Sequence, residues 1–287
     1  MSPSEPPDVH KLLKKHRIKP SKSLGQNFLT DQESLQRIVQ IAQINQRDIV
    51  LEIGPGLGNL TYLLAACAKE VAAVEIDPNL IPILESVFAD SGNVHIIHGD
   101  ILNIRISEII QEPGYVVAAN IPYYITSALF RHLLEAENRP ARMILTVQHE
   151  VAERICARPG EMSLLALSVQ VYGSPEIKAK IPASAFYPQP EVDSAIVRVD
   201  LFDTLPIESG QLDLFFRLAK AGYSQKRKTM RNSISAGMAW SKENTSAYLT
   251  QAGIDPQRRA QTLSLTEWIT LTGMIAASIE GNTNPNS

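Results

Sequence analysis

The sequence predicts an α/β protein, a doubly wound, Rossmann-like sheet followed by a small C-terminal α-helical domain. Short apolar runs of strand length alternate with helical patterns from residue 49 to 148, the rhythm of βα units that build a parallel sheet. The first run opens directly into a glycine loop, Gly54-Pro55-Gly56-Leu57-Gly58. Beyond Asp203-Thr204-Leu205-Pro206 the pattern turns wholly helical, over 210–222, 226–237, 243–252 and 265–279, with Gly253 as a stop signal. At 287 residues, 44% hydrophobic and 20% charged, the chain can bury one large core or two modest ones.

In chain order, residues 1–18 form a basic stretch expected to be a flexible arm, as 280–287 are expected to be a frayed end. Ile49-Val50-Leu51-Glu52-Ile53 is the first strand, mostly apolar, and Asn59 to Ala68 is the helix after the glycine loop. Glycines there let backbone approach a ligand closely. Their spacing is G-x-G-x-G, whereas a dinucleotide turn requires G-x-G-x-x-G, so a pyrophosphate-binding turn is disfavoured. The next run, Val71-Ala72-Ala73-Val74, ends in Glu75-Ile76-Asp77, which sets a carboxylate about twenty residues past the first glycine, a position that suits a ribose diol. Val94-His95-Ile96-Ile97-His98 ends in Gly99-Asp100, whose carboxylate can accept a hydrogen bond from an adenine amine.

The run Tyr115 to Ala119 ends in Asn120-Ile121-Pro122-Tyr123-Tyr124-Ile125-Thr126-Ser127. An Asn-x-Pro-aromatic loop suits chemistry on an exocyclic aromatic amine: the amide oxygen and a nearby backbone carbonyl accept both N–H bonds while a ring stacks on the base. Holding both hydrogens helps a nitrogen with a delocalised lone pair pyramidalise as it attacks an electrophile, so the loop suggests N6 alkylation of adenine. Taken singly, each acid is more often a helix cap or surface group, and Pro-Tyr-Tyr more often a turn whose rings cover the core. Ligands of open α/β sheets bind outside the carboxyl ends of the strands, so Gly54, Glu75, Asp100 and Asn120 are expected to converge on one crevice. After a fifth strand over 142–148, Ile177 to Ile181 and Val192 to Leu201 read as a final strand pair joined by a Pro-rich loop.

Together with Lys22-Ser23-Leu24-Gly25-Gln26-Asn27-Phe28-Leu29 and Ala185-Phe186-Tyr187-Pro188-Gln189-Pro190-Glu191-Val192-Asp193-Ser194, these motifs resemble, in order, those of the ribosomal RNA adenine N6-dimethyltransferases, the bacterial small-subunit group above all. The resemblance runs by motif from about Lys19 to Asn232. It implies a class I methyltransferase domain over 19–203, an RNA-contacting helical domain over 207–287, and S-adenosylmethionine as methyl donor. It further implies that Gln26, Asn27 and Leu29 lie at the cofactor, with Gly54 and Gly56 at its methionine part, Glu75 at its ribose and Asp100 at its adenine. Asn120 is then shared between cofactor and target, Tyr123 stacks on the target adenine, and Phe186 covers the opposite face. The implied substrate is a pair of adjacent adenosines in a 3′-terminal hairpin loop of 16S ribosomal RNA in the immature small subunit. The reaction would be an in-line methyl transfer in which the protein mainly aligns the reacting atoms, with no metal and no assigned general base.

Relatives that methylate a large-subunit adenine share Gln-Asn-Phe-Leu and Asn-Ile-Pro-Tyr, while Lys-Ser-Leu-Gly-Gln and the Phe-Tyr-Pro-Gln-Pro-Glu-Val-Asp-Ser loop favour the small-subunit group. A ribosome-assembly or transcription factor that uses the same fold for binding is the alternative from another class. The formal charge of −3 does not announce a nucleic-acid binder, but its distribution does more. His10 to Lys19 is basic, and Lys226, Arg227, Lys228 and Arg231 lie in a stretch without acids from Leu214 to Ser241, so phosphate contacts are expected there. Relatives commonly read Gln-Arg-Arg-Lys-Thr-Leu-Arg-Asn where this chain has Gln-Lys-Arg-Lys-Thr-Met-Arg-Asn, and Lys for Arg loses a planar fork for phosphate. The two cysteines, Cys67 and Cys156, show no metal-ligand spacing, which excludes a zinc deaminase and leaves them reduced and structural. No apolar run approaches the roughly 20 residues of a membrane span and the N-terminus lacks a secretory centre, so a cytoplasmic monomer is expected.

Overall fold

The computed structural model describes residues 6–121 and 125–282 of the chain; Pro122, Tyr123 and Tyr124 lie outside them. The chain divides into two compact units, Met1–Ala152 with Ser174–Leu201, and Glu153–Gly173 with Phe202–Ser287.

The first unit opens with α1 (Val9–His16), β1 (Phe28–Leu29) and α2 (Gln32–Ala42). It continues through β2 (Ile49–Ile53), α3 (Asn59–Cys67), β3 (Glu70–Glu75), α4 (Ile81–Val87), β4 (Val94–His98), α5 (Ile106–Ile109), β5 (Val116–Asn120), α6 (Thr126–Leu134) and β6 (Arg142–Gln148). After α7 (His149–Ile155) and α8 (Leu164–Gln170) come β7 (Gly173–Ile181), β8 (Phe186–Tyr187) and β9 (Ser194–Leu201). The main sheet has the order β4-β3-β2-β5-β6-β9-β7. Strands β2 to β6 pair in parallel and β9 runs antiparallel to β6. The chain winds outward from β2 to β4 and then returns to lay β5 on the other side of β2. That reversal leaves a crevice at the carboxyl ends of β2 and β5. β2 and β5 are buried along nearly their whole length, as expected of strands covered by helices on both faces.

Residues 9–16, expected to belong to a flexible arm, form a docked helix. Asp8 caps it, its carboxylate accepting from the Lys11 N–H at 3.0 Å, and that bond holds the carboxyl below its ordinary range. Arg17 closes the other end in the left-handed conformation, φ 56°, as the Ile18 N–H reaches the Leu13 carbonyl at 3.0 Å. Val9 and Leu13 are buried with Phe28, Leu57, Leu80 and Ile83. Burying those two side chains supplies about 1.5–3 kcal/mol each, and the apolar face overrides the polar composition of the stretch.

The second unit contains α8, α9 (Leu212–Tyr223), α10 (Met230–Met238), α11 (Lys242–Gln251) and α12 (Leu265–Asn282). It therefore takes in 153–173, which the sequence reading assigned to the catalytic domain. The cause is α8, whose Leu165, Leu167 and Val169 are buried and which packs on α9; Tyr172 stacks on Phe216 with ring centroids 6.3 Å apart. Trp268 is fully buried and lies on Gly222, where any side chain would overlap its ring. The helix expected from residue 226 begins at Met230, because 225–228 closes as a turn, the Lys228 N–H donating to the Gln225 carbonyl at 3.0 Å. Among the described residues no helix is long and apolar enough to cross a membrane.

Candidate active site

The parallel register sets the strand ends level. Ile53 lies opposite both Val74 and Ala119, and Glu75 opposite His98, so Gly54, Glu75, Asp100 and Asn120 all fall at one edge of the sheet. Gly54 and Glu75 are joined through the glycine loop. The Glu75 carboxylate accepts from the Gly56 N–H at 3.0 Å and from the Asp77 N–H at 2.9 Å. Each oxygen thus keeps a lone pair for further donors, the requirement for gripping a pair of ribose hydroxyls. Burial raises the Glu75 pKa, and the two backbone bonds work against that shift.

Gly56 has φ +63° and its Cβ position would lie 2.9 Å from the Phe28 ring, so a side chain there would collide as well as strain the backbone. Gly58 has φ +90°, and a Cβ on it would meet Phe88 at 2.6 Å. The loop therefore stays close-packed on both sides while its backbone remains bare toward the crevice.

The segment Gln26 to Leu29 reaches this crevice from far away in sequence. The Gln26 amide nitrogen donates to Asp77 at 2.7 Å and its oxygen accepts from the Ser21 N–H at 2.7 Å, so Gln26 clamps the segment to the end of β3. Asp77 is buried and also receives the Asn79 backbone and side-chain N–H groups. The Asn120 amide nitrogen donates to the Asn27 carbonyl at 2.9 Å. This bond fixes which end of the amide is nitrogen and turns the carboxamide oxygen away from Asn27. The two-residue strand β1 pairs with β8, Leu29 opposite Phe186 and Phe28 opposite Tyr187. Asp193 staples the β8 loop, accepting from the Ala183 N–H at 2.9 Å and pairing with Lys180 at 3.0 Å; these contacts hold its carboxyl below the ordinary range.

One cavity is lined by Gln26, Asn27, Leu29, Gly54, Gly56, Glu75 and Asn120, the expected cofactor residues apart from Asp100. Asp100 caps the turn Ile101–Asn103, accepting from the Leu102 N–H at 3.0 Å and the Asn103 amide at 2.9 Å. Phe186, expected to cover one face of the target base, lies on the core side of β8. It is 5% exposed and packs with Leu29, Leu35, Ile38 and Ile196, because β8 faces it into the core, whereas Tyr187 beside it is 40% exposed and meets the His10 ring edge-on. Tyr123 lies outside the described residues. Lys226, Arg227 and Lys228 are exposed and, among the described residues, pair with no carboxylate. Arg231 is half-buried with its Nε enclosed.

Sequence reasoning passed over Glu52. It is the penultimate residue of β2, is 1% exposed, lines the cavity, and has an unpaired Oε2. Burial pushes its pKa from the ordinary 4.5 up to about 8, with the Glu75 charge adding to the rise. The signal available was a single acid inside a strand otherwise fit for complete burial. This donor set fits S-adenosylmethionine: a carboxylate for ribose hydroxyls, bare loop backbone, and an orphaned acid for a cationic end.

A family model for ribosomal RNA adenine dimethylases matches residues 17–277. The Ribosomal RNA small subunit methyltransferase A of Dehalococcoides mccartyi (strain CBDB1) is 44% identical over 268 residues, 93% of this chain and 92% of its own. The protein of the same name from Clostridioides difficile (strain 630) is 38% identical over 274 residues, 93% of this chain and 95% of its own. Among solved structures, a dimethyladenosine transferase from Plasmodium falciparum superposes with a TM-score of 0.75 at 26% identity, covering 88% of this chain and 98% of that one. The 23S rRNA methyltransferase ErmE gives 0.72 at 27% identity, covering 87% and 100%. The sheet is that of the class I methyltransferases, which use S-adenosylmethionine, and the chain belongs to the ribosomal RNA adenine dimethylase family.

Proposed function

We propose that this chain dimethylates the N6 amines of two adjacent adenosines in a 3′-terminal hairpin loop of 16S ribosomal RNA, acting as a cytoplasmic monomer on the immature small subunit. Family membership gives the reaction class, S-adenosylmethionine-dependent dimethylation of adenosine in ribosomal RNA. The relatives named for the small subunit, alike over more than nine-tenths of both chains, support the choice of RNA. The observation that carries the chemistry is the Asn120–Asn27 bond, which spends the donor end of the amide on backbone and leaves its acceptor end for an amine at the cavity wall.

S-adenosylmethionine supplies an electrophilic methyl carbon carried on a sulfonium. The protein's work is alignment and hydrogen bonding. Asn120 accepts one amine N–H and the Ile121 carbonyl the other, while Tyr123 stacks on the target ring. Glu75 takes the ribose hydroxyls on the lone pairs that Gly56 and Asp77 leave free, and Asp100 takes the adenine amine. Gln26 acts through Asp77, keeping Asn27 in place as the acceptor of Asn120. Phe186 supports the wall from the core side, through Leu29. RNA phosphates are held by Lys226, Arg227, Lys228 and Arg231 of the second unit and by the basic side of α1.

The test is transfer of labelled methyl groups from S-adenosylmethionine to immature small subunits, with large subunits, naked RNA and duplex DNA as controls, followed by nucleoside analysis. Dimethyladenosine confined to small-subunit RNA is the expected result. Label in large-subunit RNA would move the activity to the other group of relatives, and cofactor binding without transfer would make the chain a binding factor.

A further inference from the structure

Asn120 marks a boundary along the carboxyl edge of the sheet. The cavity takes in the ends of β2 and β3 on one side of it and, among its described lining residues, none of β6 on the other. There β6 ends in Gln148, and the register fixes the face from which it projects. Asn120 lies opposite Thr146, so the two side chains share a face, and Gln148, two residues on, belongs to that face as well. Adjacent strands lie about 4.8 Å apart and two residues advance a strand by roughly 6.6 Å, which separates the Cα atoms of Asn120 and Gln148 by roughly 8 Å. One purine ring can bridge two side-chain amides over such a gap. This face of β6 changes from Ile144 at depth to Thr146, buried with an unpaired Oγ1, and then to half-buried Gln148 at the edge. The Gln148 carboxamide meets no hydrogen-bond partner among the described residues, whereas those of Gln26, Asn93 and Asn120 are all engaged. An open amide thus stands at the edge where such sheets bind their ligands, on the side of Asn120 away from the cofactor.

We propose that Gln148 contacts the target adenine, its amide nitrogen donating to the ring nitrogen that flanks the amine on the β6 side while Asn120 holds the amine itself. This rests on the reading of Asn120 as the acceptor of the N6 amine. The adenine amine has a ring nitrogen to either side, N1 on the base-pairing edge and N7 on the Hoogsteen edge, and both are acceptors, so a primary amide serves either of them only as a donor. The contact bears on double methylation. The first methyl replaces one of the two N–H groups and so removes one of the bonds that hold the amine, but it leaves the ring nitrogen untouched. Gln148 then keeps the ring aligned with the incoming methyl through the second transfer, when the amine alone supplies a single bond.

The test compares the full-length wild type with Gln148→Leu on small subunits reconstituted around 16S RNA that carries adenosine, 1-deazaadenosine or 7-deazaadenosine at the target positions. Each analogue keeps the amine and lacks one ring acceptor. On adenosine the variant is expected to lose about tenfold in kcat/KM, and N6-methyladenosine should accumulate more than with the wild type. On the analogue that lacks the contacted nitrogen the two proteins should be equally active, because the variant has nothing further to lose, while on the other analogue the gap of about tenfold should persist. Comparing the proteins on the same RNA cancels any effect of the analogue on the reactivity of its amine. S-adenosylmethionine affinity by calorimetry should be unchanged in the variant. Should Gln148→Leu fail to fold, Gln148→Glu goes through the same comparison at about pH 8, where it keeps the shape and has no N–H to give. No gap on adenosine, a gap that persists on both analogues, or a loss of cofactor affinity in the variant overturns the proposal while leaving the target site as read. Absence of methyl transfer to adenosine by the wild type overturns the reading of the target site itself, and the proposal with it.

Discussion

Glu52 and Glu75 share a cavity yet differ in what surrounds their oxygens, and that difference separates their behaviour. Because folding raises the Glu52 pKa from the ordinary 4.5 to about 8, the group favours the folded state fully below pH 4.5 and weakens it progressively as pH rises toward 8. Glu52→Gln should therefore melt higher than the wild type by a margin that widens from pH 5 to pH 8 and then levels, reaching on the order of a few kcal/mol in chemical denaturation. A margin independent of pH would mean the carboxyl titrates normally. Asn120 is a different case, since its role depends on the donor end reaching the Asn27 carbonyl. Asn120→Asp keeps the shape but loses that donor, and single-turnover methyl transfer should fall by roughly 100-fold or more while the melting curve moves little. Asn120 was legible in the sequence because a polar residue closes an apolar run just before Pro122. Glu52 was not, because an acid inside a strand looks the same whether it faces a cavity or a helix.

The elements that build the site are short and joined across long sequence distances. β1 and β8 have two residues each, too few to show any periodicity, and their pairing is set by core burial of Leu29 and Phe186 together. Helix α1 docks by Val9 and Leu13 against Phe28, whose ring also lies over Gly56. Its exposed Lys14, Lys15 and Arg17 are thereby carried on the catalytic unit rather than on a free arm. Replacing Lys14 and Lys15 together by Glu should weaken RNA binding and lower the slope of log affinity against log salt by about 1.5, with cofactor affinity retained; an unchanged slope would place α1 away from the RNA. In the second unit the contact between α9 and α12 depends on Gly222 lying flat beneath Trp268. Gly222→Ala should cost about 1–3 kcal/mol in urea unfolding, as overpacking of a filled core does. Full stability in that variant would show that the two helices separate easily.

The whole molecule divides chemistry and charge between its units: the cavity belongs to the first, and the acid-free basic stretch to the second. Reversing Lys226, Arg227 and Lys228 together should reduce the salt slope of RNA binding by about 2 to 3 and leave S-adenosylmethionine binding intact, as filter binding and calorimetry would report. Loss of cofactor binding would instead mark the stretch as a structural support. The βα alternation, the strand ends carrying Glu75, Asp100 and Asn120, and the helical tail were all readable from local patterns, because periodicity and turn chemistry act over a few residues. What local pattern does not carry is partnership over distance. The switch of α8 into the second unit, the docking of α1, the burial of Phe186 with exposure of Tyr187, and the Gln26–Asp77 clamp depend on which surfaces remain to be covered once the sheet has formed. The protonation of Glu52 belongs with them, since a carboxyl's pKa is set by the water and charges it keeps after folding, and those are fixed by neighbours that the chain brings from β3, α3 and β5.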